Sequence, residues 1–383
     1  MQNSKNFLNR SLKVIPTASQ TYSKSHRYFT KPLFAKKGKG QYLWATDGKK
    51  YLDFNMALGS VILGYKPPQW YLQGVPDGIN FSLPHPMETE LAEKLCSIIP
   101  CAQKIKFFKN GSDAVEIAVR LARAYTGKED ILWMSYHGFH DSFIASTKPA
   151  KGIPIGYKTN NYHYNTIGVS INPAAIVIEP SHVDIIEIAE YAKKNNIILI
   201  LDEVLTGFRH GMSGLGNRLG IKPDLICLGK CMANGLPLSA VAGRADIMNL
   251  LDEGVFGSST FGGETLSIAV AIHTIKEFEY SGNYLWKIGS AYIANIDKTQ
   301  VSKFGVITGL PPRCGIEFKD LYYKSFFQDE MLKRGFIVNG LSNFCLAHTF
   351  KDISLYIEAT NEVLEIMGKR KYHGKIIKPM FKR

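Results

Sequence analysis

The sequence predicts an α/β protein with a large, mostly parallel β-sheet domain and a smaller α+β domain. Two observations support this fold class. Between about residues 104 and 242, short apolar runs alternate with segments of helical periodicity, and such runs are typical of strands buried on both faces of a parallel sheet. After residue 264 the pattern changes to one long helix followed by a mixed segment that ends in an amphipathic helix.

The elements follow in chain order. Residues 42–46 and 49–54 flank Asp47-Gly48, which predicts an N-terminal β-hairpin with a two-residue turn. The predicted strands of the large sheet are 105–108, 131–134, 175–178, 197–201, 225–228 and 240–242. Helices are predicted through 115–125, after Asp184 as N-cap, from Glu264 to about residue 280, and over 352–367.

Composition excludes several classes of protein. Of 383 residues, 45% are apolar and 21% are charged, as in ordinary globular proteins, and no apolar run approaches the roughly 20 residues of a membrane helix. The first ten residues are polar and lack the apolar core of a signal peptide, so we expect a cytoplasmic protein that has no membrane partner. Six irregularly spaced cysteines fit reduced thiols rather than a disulfide framework.

The net charge is 46 − 33 = +13, which is compatible with nucleic acid or with an anionic substrate as partner. Much of the excess lies in residues 31–50 and in the last fifteen residues, up to Lys382 and Arg383. No aromatic-rich basic motif accompanies it, so a solvated basic surface is the favoured interpretation. A basic nucleic-acid-binding protein remains a distant alternative, and we expect no nucleic-acid partner.

Polar residues at the ends of apolar runs are the candidate functional residues, because ligands of open parallel sheets bind beyond the carboxyl ends of the strands. Asn110-Gly111-Ser112 joins a strand to a helix and could bind a phosphate through backbone N–H groups; the alternative is a helix merely capped by Asp113 and Glu116. Asp202 follows a five-residue apolar run, where a carboxylate requires a positive partner. Lys230 ends another run, where a lysine can act as a Schiff-base nucleophile.

A phosphate-binding turn, a carboxylate and a lysine at three strand ends are the parts needed to hold pyridoxal phosphate. Tyr136 offers an aromatic ring to stack on a flat cofactor, and Thr260 opens the long helix with further donors. His137 and His140 could face a metal instead, but no third ligand is evident, so no metal is predicted.

Five motifs resemble those of the class III pyridoxal-phosphate-dependent aminotransferases, in the order of that family and from about Ile15 to the tail. The resemblance is greatest to the branch of the glutamate-1-semialdehyde 2,1-aminomutases. The motifs are Asn110-Gly111-Ser112-Asp113-Ala114, Tyr136-His137-Gly138, Leu201-Asp202-Glu203-Val204-Leu205-Thr206-Gly207-Phe208-Arg209, Pro223-Asp224 with Leu228-Gly229-Lys230, and Ser259-Thr260-Phe261-Gly262-Gly263.

The resemblance implies the fold-type I transferase architecture, in which residues 1–55 join the small domain, residues 56–270 form the large cofactor-binding domain, and residues 271–383 form the C-terminal small domain. It also implies a role for each matching residue. Lys230 and Asp202 would be catalytic: Lys230 forms the Schiff base and moves the proton, and Asp202 holds the pyridine nitrogen. The ring would lie between Val204 and Tyr136. The phosphate would be bound by Gly111 and Ser112, and by Thr260 from a second subunit, so the family implies a homodimer with shared active sites.

Two departures from the aminomutases concern the substrate, and a third position differs from other class III transaminases. Lys24 stands where these enzymes carry an arginine for the substrate carboxylate, and lysine lacks the bidentate fork. Gly340 stands where they carry a glutamate, and Leu205 where many related transaminases carry a glutamine. The segment 19–24 is more similar to aminotransferases of surface-carbohydrate synthesis.

The sequence therefore predicts an enzyme that transfers an amino group from an amino-acid donor to a keto or aldehyde acceptor. The acceptor is expected to be sugar-derived or anionic and to meet Lys24 and Arg27. The alternative is a glutamate-1-semialdehyde 2,1-aminomutase. The identities of donor and acceptor and the stereochemistry do not follow from the sequence.

Overall fold

The computed structural model describes residues 2–145, 150–154, 161–163, 172–281 and 283–378. The basic residues Lys382 and Arg383 lie outside these described ranges. Contacts divide the described chain into two compact units. The first takes the chain up to Pro67 and again from Asn283 onward, and the second takes the chain between them. The functional division predicted at residues 55 and 270 stays a prediction.

The strands are β1 (Ala35–Lys39), β2 (Tyr42–Ala45), β3 (Lys50–Asp53), β4 (Lys104–Phe108), β5 (Ile131–Trp133), β6 (Asn161–His163), β7 (Ala175–Ile178), β8 (Ile198–Glu203), β9 (Leu225–Leu228), β10 (Ser239–Gly243), β11 (Gly305–Leu310), β12 (Arg313–Phe318), β13 (Phe336–Ile337) and β14 (Ser342–Asn343). The helices are α1 (Gln2–Val14), α2 (Pro68–Tyr71), α3 (Pro86–Ile98), α4 (Gly111–Thr126), α5 (Asp141–Ile144), α6 (Ile185–Lys194), α7 (Gly214–Arg218), α8 (Ala245–Met248), α9 (Thr265–Glu279), α10 (Tyr284–Asn295), α11 (Lys298–Phe304), α12 (Leu321–Lys333) and α13 (Phe350–Met367). Short 3₁₀ turns are Pro16–Ala18, Tyr22–Lys24, Lys230–Ala233 and Asn249–Leu251, and Met56–Gly59 is a left-handed turn.

The second unit contains a seven-stranded sheet of order β4-β10-β9-β8-β7-β5-β6. All six strands predicted from apolar runs lie in this sheet, which confirms that prediction, and β6 adds a seventh. Strand β10 runs antiparallel to both of its neighbours, and the pairs from β9 to β6 are parallel. The sheet is therefore mostly parallel, as the sequence predicts.

Helices cover both faces of this sheet. Alternate residues of β8 belong to different cores: Ile198 and Ile200 pack with α4 on one face, while Leu199 and Leu201 pack with α6 on the other. This two-sided burial explains why β8 is a continuous apolar run rather than an alternating one. Helix α6 follows Asp184 as predicted, but the Asp184 side chain makes no capping hydrogen bond.

The first unit holds two smaller sheets, β1-β2-β3-β13 and β11-β12-β14. The predicted N-terminal hairpin is confirmed by antiparallel pairing of β2 with β3. Its turn differs from the predicted two-residue type, because the amide of Ala45 donates to the carbonyl of Lys49 and leaves a three-residue loop. Only Gly48 of that loop takes a positive φ, +83°, as expected for a type I turn closed by a left-handed glycine.

The fold class is confirmed as α/β, with a mostly parallel sheet in one unit and a smaller mixed unit of sheets and helices. Within the described ranges, no helix combines the length and the apolar character that a membrane span requires. All six cysteines carry free thiols.

Candidate active site

The three candidate strand ends lie at one edge of the seven-stranded sheet. Strands β8 and β9 are parallel neighbours, and β10 is antiparallel to both β9 and β4. Two antiparallel steps restore the direction, so β4 points the same way as β8 and β9. The turn at Gly111, the carboxylate of Asp202 and the amine of Lys230 therefore share the carboxyl edge, where open sheets bind ligands.

The first strand end leads into the N-terminus of α4. Asp113 accepts hydrogen bonds from the backbone amide (3.1 Å) and the side-chain amide (3.0 Å) of Asn110. The alternative of a capping box formed by Asp113 and Glu116 is thus wrong: Asn110 is the N-cap, and Glu116 accepts a hydrogen bond from Ser142 at 3.0 Å instead. The sixteen-residue helix presents its N-terminal dipole and the amides of Gly111 and Ser112 at the sheet edge.

Val204 joins this helix start to the lysine turn. A Cβ added at Gly111 would lie 2.6 Å from Val204 Cγ1, and one added at Gly229 would lie 3.2 Å from the same atom. Both turns therefore approach the Val204 side chain closely. Lys230, next to Gly229, takes a φ of +38°, a left-handed conformation that is strained for a non-glycine residue. Strain of this kind clusters at functional sites.

Asp202 is held by two partners. Its Oδ1 accepts the backbone amide of Val204 at 3.0 Å, and its Oδ2 lies 2.7 Å from Nδ1 of His137. The other ring nitrogen of His137 contacts the backbone carbonyl of Met134. Both ring nitrogens of His137 thus face oxygen atoms, and the imidazole links the Asp202 carboxylate to the backbone at Met134.

The sequence reasoning missed the contact of His137 with Asp202. From the sequence, His137 is a candidate metal ligand together with His140 and a member of the Tyr136-His137-Gly138 motif. In the structure His140 lies 3.1 Å from the Asp113 carboxylate, so both imidazoles face carboxylates. The described residues contain no group of three side chains suited to a metal ion. The signal available in the sequence was the position of His137 beside Tyr136 in the same motif.

The loop that carries Tyr136 packs against Ser112. A Cβ added at Gly138, whose φ is +120°, would lie 2.7 Å from Ser112 Oγ, and the amide of Phe139 donates to that oxygen at 3.2 Å. Tyr136 is 44% exposed at this edge. The structure thus brings six of the predicted residues together around one cradle: Gly111, Ser112, Tyr136, Asp202, Val204 and Lys230.

The three other predicted residues are exposed. Thr260 is exposed on the turn before α9. Lys24 and Arg27 are exposed in the first unit. Lys24 lies near the buried carboxyl of Asp53, whose pKa is raised by burial; a hydrogen bond from Tyr65 at 2.6 Å and the charge of Lys24 oppose that rise.

A lysine, a buried carboxylate and a helix N-terminus at one edge of a mostly parallel sheet are the elements of a cofactor-dependent transferase. A family model described as aminotransferase class-III matches residues 22–184 and 174–346. The chain belongs to the class III aminotransferase family. This membership confirms the predicted family, the enzyme class, and pyridoxal phosphate as the cofactor.

Individual relatives agree with this membership. The 3-aminobutyryl-CoA aminotransferase of Cloacimonas acidaminovorans is 32% identical over 377 residues, covering 88% of this chain and 90% of that protein. The glutamate-1-semialdehyde 2,1-aminomutase of Sulfurisphaera tokodaii is 36% identical over 287 residues, covering 66% and 68%. The crystal structure of an omega-transaminase from Sphaerobacter thermophilus superposes with a TM-score of 0.86 at 20% identity, covering 95% of this chain and 98% of that one. That likeness confirms the predicted fold.

Proposed function

We propose that this enzyme transfers an amino group from an amino-acid donor to a keto or aldehyde acceptor, with pyridoxal phosphate held in the cradle around Val204. The observation that carries the proposal is the convergence of the Gly111, Asp202 and Lys230 strand ends on that side chain. The donor set fits the cofactor: backbone amides at a helix N-terminus suit a phosphate, a buried carboxylate suits a protonated ring nitrogen, and a lysine suits an aldehyde.

Each residue of the cradle has one task in this proposal. Pyridoxal phosphate, when bound, supplies an electron-accepting ring that makes the proton on the amine-bearing carbon removable. Lys230 Nζ would take that proton as general base and later return a proton as general acid. The amides of Gly111 and Ser112 bind the phosphate, and Tyr136 and Val204 cover the two faces of the ring.

Asp202 keeps the ring nitrogen protonated, and His137 supports Asp202 in that task. A carboxylate that is hydrogen-bonded to a buried imidazole is fixed in orientation. Asp202 also accepts the Val204 amide, so the carboxylate and the side chain that covers the ring are set by the same turn.

We propose an anionic acceptor that meets Lys24 and Arg27. Residues 1–67 contain twelve Lys or Arg and two Asp, a net charge of +10 for that segment, whereas residues 68–282 contain eighteen Lys or Arg and twenty-two Asp or Glu, a net charge of −4. A positive field attracts anionic ligands and raises their local concentration. The relative named for 3-aminobutyryl-CoA supports this choice, because a coenzyme A ester is a phosphorylated anion.

Within that class we favour a sugar-derived acceptor of surface-carbohydrate synthesis, on the similarity of the segment 19–24 to such aminotransferases. The test supplies the enzyme with glutamate and, in parallel reactions, phosphorylated keto sugars, anionic keto acids, keto-acid esters of coenzyme A and an uncharged ketone, and measures 2-oxoglutarate formation. An uncharged ketone that is aminated at least as efficiently as every anionic acceptor would contradict the proposal.

The second candidate function is a glutamate-1-semialdehyde 2,1-aminomutase, which relatives of that name favour. Gly340 weighs against it, because its φ of +92° is a conformation that a glutamate at this position could adopt only with strain. Lys24 weighs against it too, since it offers no bidentate contact to a carboxylate. Supplying glutamate-1-semialdehyde alone and measuring 5-aminolevulinate decides between the two: efficient turnover without an added donor would establish the aminomutase.

We further propose a homodimer in which Thr260 contacts the phosphate held by the neighbouring subunit. A groove of about 610 Å³ in the second unit is lined in part by Ser258, Ser259 and Gly262. The nearby Phe256 and Phe261 are 76% and 56% exposed, and exposed aromatic residues beside a groove favour an interface with a second copy. Sedimentation at decreasing concentration tests this: a monomer that remains fully active would contradict it.

The remaining predictions concern partners and location. We keep a cytoplasmic location and the absence of a nucleic-acid partner as proposals. A colourless protein that binds nucleic acid and transfers no amine would revive the distant alternative.

A further inference from the structure

The turn that carries Thr260 is tied to the start of the cradle by one buried ion pair. Lys109 directly precedes Asn110-Gly111-Ser112, and its Nζ lies 2.8 Å from Oε2 of Glu264. The two side chains are 15% and 12% exposed. The Lys109 and Ser267 contacts hold the pKa of Glu264 below its usual range despite the opposing effect of burial, so the carboxylate is charged in the pair.

Glu264 is also the N-cap of α9. It accepts the amides of Leu266 at 2.7 Å and Ser267 at 3.2 Å, and the Ser267 hydroxyl at 2.7 Å. One carboxylate thus fixes where α9 begins and receives the ammonium group of Lys109. Any movement of the turn before α9 would have to break these contacts or carry Lys109 with it.

Two glycines allow the same turn to pack closely against strand β4 and helix α3. A Cβ added at Gly262 would lie 2.6 Å from the carbonyl oxygen of Phe107, and one added at Gly263 would lie 2.5 Å from the Glu88 carboxyl carbon. The turn therefore has no room to shift toward β4. The Lys109–Glu264 ion pair holds the same turn at a further point, and Lys109 lies directly before the Asn110-Gly111-Ser112 segment of the cradle.

We propose that Lys109 is a positioning residue that acts through Glu264 on Thr260, and therefore on the phosphate bound by the neighbouring subunit rather than on its own. The proposal rests on the shared site of the proposed function. A buried ion pair is weak evidence for stability alone, because desolvation offsets much of the attraction. In this proposal the ion pair fixes one conformation of the turn that carries Thr260, and that turn reaches the neighbouring subunit of the proposed dimer.

Hybrid dimers show whether Lys109 acts on the cofactor of the neighbouring subunit or on that of its own subunit. In each hybrid, one subunit carries Lys230→Ala, so only the other subunit binds cofactor through Lys230 and gives its visible absorbance. In the first hybrid the Lys230→Ala subunit also carries Lys109→Met; in the second, Lys109→Met is on the competent subunit. The protein is diluted into buffer that contains a scavenger of free pyridoxal phosphate, so that released cofactor cannot bind again. The measurement is the rate at which the visible absorbance is lost, and no turnover is involved.

We expect cofactor loss to be about tenfold or more faster in the first hybrid, because a hydrogen bond to a charged group is perturbed there. The second hybrid should match dimers that carry Lys230→Ala alone. Lys109→Arg should restore the rate, since the arginine keeps the charge. Faster loss in the second hybrid only, or equal rates in both, would overturn the proposal.

Controls distinguish failure of this proposal from a loss of stability and from failure of the shared-site proposal. Lys94→Met removes an exposed ion pair with Glu279 in the same unit and should change nothing. Glu264→Gln, which keeps a capping oxygen, replaces Lys109→Met if that variant does not fold, with the same expected pattern. Thr260→Ala placed in the same two hybrids reports on the shared site itself: if it shows no preference for the first arrangement, the shared-site proposal fails whatever Lys109 does.

Discussion

Gly111→Ala tests the close packing at the centre of the cradle. The added Cβ would lie 2.6 Å from Val204 Cγ1 and 2.9 Å from Cγ2. Carbon atoms pack at about 3.5–4.0 Å, so the helix start or Val204 must move by roughly 1 Å. Overpacking of this kind costs about 1–3 kcal/mol, whereas alanine gains at most about 1 kcal/mol over glycine in a helix. We therefore expect a lower free energy of unfolding.

The substitution should weaken cofactor binding as well, because the displaced amides of the helix start are the proposed phosphate donors. The assay combines urea unfolding of the apoprotein with the cofactor dissociation constant of Gly111→Ala, Val204→Ala and the double variant. Val204→Ala removes both methyl groups that the new Cβ would meet, so the double variant should recover about 1–2 kcal/mol relative to additivity. Strict additivity, or a Gly111→Ala protein with unchanged stability and affinity, would refute the packing argument.

Three further predictions concern single residues. Asp202→Asn should slow amine transfer by roughly 10²–10⁴-fold, several kcal/mol of barrier, since an amide cannot hold the ring proton; a near-normal single-turnover rate would contradict the role. Lys24→Ala should raise the KM of the acceptor about tenfold while sparing the half-reaction with the donor, and an unchanged KM would exclude Lys24 from the substrate site. Burial raises the pKa of Glu203 to about 7, against the hydrogen bonds it accepts from Thr206, Gly216 and Leu215. The stabilisation that Glu203 contributes is therefore complete below its pKa in the unfolded chain, near 4.5, and is lost as pH rises through its folded pKa of about 7. The free energy of unfolding, relative to that of Glu203→Gln, should fall by about 2–3 kcal/mol from pH 5 to pH 8. A difference between the two proteins that does not change with pH would contradict this.

The local sequence pattern was sufficient to predict the strands of the large sheet and the strand ends that carry most of the cradle residues. Strand β8 is apolar on both faces because each face packs against a helix, so its run of isoleucine and leucine could be read without tertiary information. Once the strands are known, the carboxyl-edge rule places Gly111, Asp202 and Lys230 together.

Contacts between distant segments could not be read in this way. His137 lies 65 residues from Asp202 in sequence, and Lys109 lies 155 residues from Glu264. Both contacts depend on strand order, which alternating apolar runs do not specify. The helix cap at Asn110 was missed for a different reason: Asp113 can serve either as an N-cap or as the partner of one, and only the backbone at the helix start distinguishes them.

The most direct test of the central claim is to locate the cofactor on the chain. Purified protein loaded with pyridoxal phosphate is reduced with borohydride and digested, and the modified peptide is identified by mass spectrometry. The cradle around Val204 predicts one reduced cofactor per chain on Lys230, none in Lys230→Ala, and loss of amine transfer in that variant. Modification of a different lysine in the unsubstituted protein, or full amine transfer by Lys230→Ala, would contradict the claim.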